Sequence, residues 1–112
     1  MPKAGRQAIT SRDPIFALIE NHCRMADAYY ETARAEDEGH TRMCELAQAS
    51  HAEAKAARKM AKAEPTTVGG AAALLEHTLN GRAGLFYLGG ETEWHREALR
   101  SVTTALEKIA SI

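Results

Sequence analysis

The chain has 112 residues, 45% hydrophobic and 26% charged, and its 14 lysines and arginines balance 15 acids to a formal net charge of -1. That length allows one domain with its own core, without metal or disulfide staples. The charge balance lacks the positive excess that draws in phosphate backbones or anionic lipid, which argues against nucleic acid or a membrane surface as a partner.

Residues 1 to 12 carry Lys3, Arg6 and Arg12 with no acid and little apolar content, so they are expected to form a disordered basic arm ahead of a single helical domain over residues 13 to 112. Asp13-Pro14 then reads as a helix start, with the aspartate as cap and the proline where its missing N–H costs nothing. Ile15, Ile19, His22, Ala26, Tyr29 or Tyr30, and Ala33 follow three or four apart and define an apolar stripe. The helix should weaken at Glu36-Asp37-Glu38, where three acids meet the negative end of the helix dipole, and stop at Gly39.

Thr41 is the expected cap of a second helix running to about Ala63, with Met43, Leu46, Ala47, Ser50, Ala54, Ala57, Met60 and Ala61 at helical spacing. Its seam is mostly alanine, which lets another helix approach closely. Lys55, Arg58, Lys59 and Lys62 suit its C-terminal end and read as a solvated face. At Glu64-Pro65-Thr66-Thr67 the long charged pattern breaks, because proline disfavours a helical conformation at the residue before it.

A short helix is expected from about Thr67 to Leu79, where Gly69-Gly70 permits close contact with a neighbour and Asn80-Gly81 ends it. The Gly81 to Gly90 segment, with Leu85-Phe86-Tyr87-Leu88 inside it, is too apolar for a solvated loop and should fold back on the core. Thr92 is the expected cap of the last helix, whose Trp94, Ala98, Val102, Ala105, Leu106 and Ile109 form one face. These elements make an all-α fold: a long antiparallel helical hairpin followed by a shorter helical pair, as in a four-helix bundle.

The five histidines, His22, His40, His51, His77 and His95, lack any metal-binding spacing: no Glu-x-x-His, His-Glu-x-x-His or Cys-x-x-Cys occurs. Neither a metal nor another cofactor is expected. His22 and Cys23 adjoin on one helix and so diverge by about 100°, which argues against a direct nucleophile–base pair. Cys23 and Cys44 read as small buried residues rather than a bridge, and with no apolar run of signal-peptide length at the start a reducing cytoplasm is the expected setting. No segment approaches the ~20 apolar residues of a membrane span.

Asp13-Pro14-Ile15-Phe16, Ile19-Glu20-x-His22 and Pro65-Thr66-Thr67 with Gly70 and Ala73-Leu74-Leu75 resemble a group of small bacterial all-helical proteins that share these two helix starts. The resemblance spans about residues 13 to 80 plus the tryptophan before the last helix, and implies no activity, cofactor or catalytic residue. The functional expectation is therefore a structural or protein-interaction module that forms a helical homo-oligomer, most simply a two-fold dimer. Its interface is expected on the hairpin stripe at Ile15, Ile19, Ala26, Tyr30, Leu46, Ala54, Ala57 and Met60, since a stripe that broad exceeds what one partner helix covers. A DNA-binding regulator using the short helix around residues 67 to 79 is the alternative, and an enzyme of unspecified type the second.

Overall fold

The computed structural model describes residues 13–39, 42–81, 83–84 and 92–111. These form four helices: α1 (Ile15–Asp37), α2 (Met43–Lys62), α3 (Val68–Asn80) and α4 (Glu93–Ala110). No strand occurs among the described residues. α1 packs along α2 as the antiparallel hairpin, α3 packs on α4, and the short pair closes on the hairpin through α2 against α4 and α1 against α3. The expected fold class stands. The basic arm at 1–12, Thr41 and the Leu85 to Gly90 segment lie outside the described residues.

The helix ends follow from local chemistry. Gly39, after the acidic last turn of α1, has the left-handed φ of 79° that glycine takes without steric cost. Arg42 stands at the start of α2, where the Glu45 carboxylate accepts the Arg42 N–H at 3.2 Å. Thr67 caps α3 by accepting the Gly70 N–H at 2.9 Å.

One buried carboxylate ties the two halves together. Asp13 is 2% exposed. Its Oδ1 accepts the Ile15 N–H at 3.1 Å as a cap for α1, while Oδ2 accepts the N–H of Thr66 at 2.7 Å, that of Thr67 at 3.0 Å and the Thr67 hydroxyl at 3.0 Å. Burial pushes this carboxyl upward, and the donors, led by the Ile15 and Thr66 N–H groups, outweigh it and hold it below its ordinary value. Gly70 makes room for the contact, since a Cβ there would lie 1.9 Å from Oδ2, whereas nothing stands within 4 Å of a Cβ on Gly69. Of the glycine pair, only Gly70 is needed for a close approach.

The core sits at this junction, built from Ile15, Met60, Ala61, Ala71, Leu74, Ala98 and Val102 with Leu18, Ile19 and Trp94 against it. Ser101 donates its hydroxyl to the Ala61 carbonyl at 2.6 Å and fixes α4 to α2. Of the residues expected at the interface, Ile15, Ala26, Ala57 and Met60 are at most 1% exposed within one chain and belong to its own packing. Ile19 packs on the same core. The reason is that α3 and α4 both close over the inner half of the hairpin, a cover the stripe width alone cannot reveal.

The outer half lacks that cover. Every buried residue of α1 lies at or before Ala26, and every buried residue of α2 at or after Ala56. At 1.5 Å per residue α1 is ~34 Å long and α3 only ~20 Å, so the short helix cannot follow the hairpin to its tip. The radius of gyration, 16.2 Å, exceeds the ~13 Å of a compact chain this long. Cys44 departs from its expected burial: it is exposed, Cys23 is half-buried, and no disulfide joins them. No helix among the described residues is long and apolar enough to cross a membrane.

Candidate functional site

Where the cover ends, three helices bring polar groups together that the sequence keeps far apart. His22, fully buried on α1, places Nδ1 at 2.7 Å from His77 Nε2 on α3 and Nε2 at 2.7 Å from Glu53 Oε2 on α2. Cys23 Sγ lies 3.9 Å from the remaining nitrogen of His77. Glu53 stays partly open to solvent, with 19% of its side chain exposed.

One proton arrangement satisfies these contacts with both imidazoles neutral. His22 Nε2–H donates to the Glu53 carboxylate, His77 Nε2–H donates to His22 Nδ1, and His77 Nδ1 faces the thiol as an acceptor. Every buried polar atom of the described side chains has a hydrogen-bond partner, the condition under which a buried polar network costs little. The donors form a line rather than a shell around one centre, and no group of three suited to a metal occurs among the described residues.

The surroundings hold the line in place. Gly81 clears space for His77, because a Cβ there would lie 2.4 Å from His77 Nδ1 and 2.5 Å from the His77 carbonyl. The Trp94 ring stands edge-on to His22, with centroids 5.1 Å apart, and over His95 at 4.1 Å. His95 is itself fixed: Nδ1 accepts the Thr92 N–H at 2.9 Å, so the proton sits on Nε2 and is donated to the Ala83 carbonyl at 2.8 Å. This orders the first turn of α4 and seats Trp94.

Outside Glu53 and Trp94 opens a cleft of about 440 Å³ whose lining also includes Tyr29, Tyr30, Arg58 and Glu93. That size is within the range of small-molecule sites. Tyr30 and Ala54, two expected interface residues, line this cleft. Leu46 remains half-buried on the outer hairpin.

Sequence spacing places His22 on the apolar face and argues against Cys23 as its direct partner. The base beside Cys23 is instead His77, 54 positions away, and only helix packing joins them. The available signal was that His22 and His77 both fall on otherwise apolar helix faces, where an imidazole needs a partner. The chain matches no family model, no curated protein and no solved structure.

Proposed function

We propose that this chain is a protein-interaction module that acts as a homo-oligomer, a two-fold dimer assembled through the outer half of its hairpin. The observation that carries the reading is that none of the described residues of that stretch is buried. The stripe that buries Ile15, His22 and Ala26 continues outward through Tyr29 or Tyr30 and Ala33, and the stripe of Ala57 and Met60 continues back through Ser50, Leu46 and Met43, the last 66% exposed. A second hairpin lying antiparallel would complete a four-helix layer there.

Charge supports a second copy as the occupant. The tip end of α1 carries Glu36 and Asp37, followed by Glu38, while the base end of α2 carries Lys55, Arg58, Lys59 and Lys62. A two-fold axis across the outer half sets the acidic tip of one copy beside Lys55 and Arg58 near the middle of the other's α2, which favours association and fixes its direction. Light scattering over a micromolar dilution series tests this. A two-chain mass that Leu46→Asp reduces to one chain, with unchanged helical circular dichroism, is expected; a one-chain mass throughout removes the dimer. Leu46 is the discriminating site because Ile19 also contributes to the core of a single chain.

A further inference from the structure

We propose that the cleft between the middle of the hairpin and the start of α4 binds a small molecule bearing a substituted ammonium group, with a zwitterion of the betaine class satisfying its lining best. Tyr29, Tyr30 and Trp94 contribute three aromatic rings to one cavity, and Glu53 and Glu93 contribute two carboxylates. Ring faces carry negative potential, so they attract an alkylated ammonium that has few hydrogen-bond donors of its own, and a nearby carboxylate adds the Coulomb term. An anion would meet two like charges, and a purely apolar ligand would strip water from both carboxylates with no return.

The arrangement is anchored from beneath. Glu53 is held through Oε2 by the fully buried His22, which is held in turn by His77, so the carboxylate is fixed in place and Oε1 remains for a ligand. Trp94 is fixed against the His22 and His95 rings. Such prior fixing lowers the ordering cost of binding. Arg58 on the same lining offers a partner to a carboxylate at the far end of the ligand, which a bare cation would leave unused.

Because the chain has one tryptophan, the fluorescence of Trp94 reports directly on the cleft. The full chain is titrated with glycine betaine, tetramethylammonium and acetate to ~10 mM, a range that covers millimolar sites, with calorimetry alongside. Both ammonium probes are expected to give a saturable change, betaine at the lower concentration, and acetate none. Glu93→Gln, at the exposed rim, should weaken both ammonium probes by about 3- to 10-fold, and Arg58→Met should weaken betaine alone. No saturation with either ammonium probe, an acetate response equal to theirs, or an ammonium response unchanged in both Glu93→Gln and Tyr30→Ala overturns the proposal. Betaine binding no tighter than tetramethylammonium overturns the role given to Arg58. The reading does not rest on the dimer, and light scattering on the same samples separates the failure of one from the failure of the other.

Discussion

Asp13 shows how much one side chain can organise when burial and donors act together. Replacing it with alanine removes the α1 cap and leaves the Thr66 and Thr67 N–H groups without their acceptor, an expected cost of about 2–4 kcal/mol in denaturant unfolding. Its carboxyl titrates below its ordinary value of 3.8 in the folded chain, so its contribution is fully present above that pH and is lost as pH falls through the lower, folded value. The stability of the natural chain should therefore drop below about pH 4 more steeply than that of Asp13→Asn, which has no charge to lose. Equal slopes would show that the carboxylate charge is not what the donors stabilise. The glycine pair beside it offers a contrast: Gly70→Ala drives a Cβ into Asp13 and should cost about 1–3 kcal/mol, whereas Gly69→Ala should be neutral or gain up to ~1 kcal/mol from helix propensity. Similar melting temperatures for the two variants would contradict this assignment of the contact.

At the scale of elements, the long hairpin and the short pair meet through few specific ties of unequal worth. The Ser101 hydroxyl to the Ala61 carbonyl is part-buried at 2.6 Å, so Ser101→Ala should cost about 1 kcal/mol. The Lys108–Glu64 pair also bridges the two halves, at 2.8 Å, but it is exposed, and Lys108→Ala should stay within ~0.5 kcal/mol. Urea unfolding of both variants checks the order, and a larger loss for Lys108→Ala would mean that the surface pair fixes α4. Gly81 belongs here too, since it ends α3 while leaving room for the His77 ring. Gly81→Ala should shift the His22 and His77 ring resonances together, because the two rings share one hydrogen bond.

For the whole molecule, the uneven cover of the hairpin divides it into two regions, a packed junction with a cleft at its edge and an outer arm without buried residues in its helices. If oppositely charged ends guide the pairing of two arms, raising sodium chloride from about 0.05 M to 0.5 M should weaken the dimer, because exposed charge pairs are screened over that range. Sedimentation at several concentrations measures it. Dimerisation that strengthens with salt would assign the contact to apolar burial alone and remove the argument for an antiparallel direction.

Sequence alone determined the helices and most of their ends, because those are set by neighbours along the chain: Asp13-Pro14, Gly39, Thr67 and Thr92 act over three or four residues, and the apolar spacing marks which face turns inward. It also determined the hairpin-and-pair architecture, since one proline-threonine break divides a charged helical stretch from an apolar one. Only the tertiary structure decided what the inward faces meet. Asp13 serves a second helix start more than fifty positions away, His22 finds one partner on α2 and another on α3, and Ile15, Ala26, Ala57 and Met60 bury themselves within one chain. Capping and periodicity are local and leave a record in the order of residues. A hydrogen bond between helices depends on how they rotate and slide against each other, which is fixed by the summed packing of many small side chains.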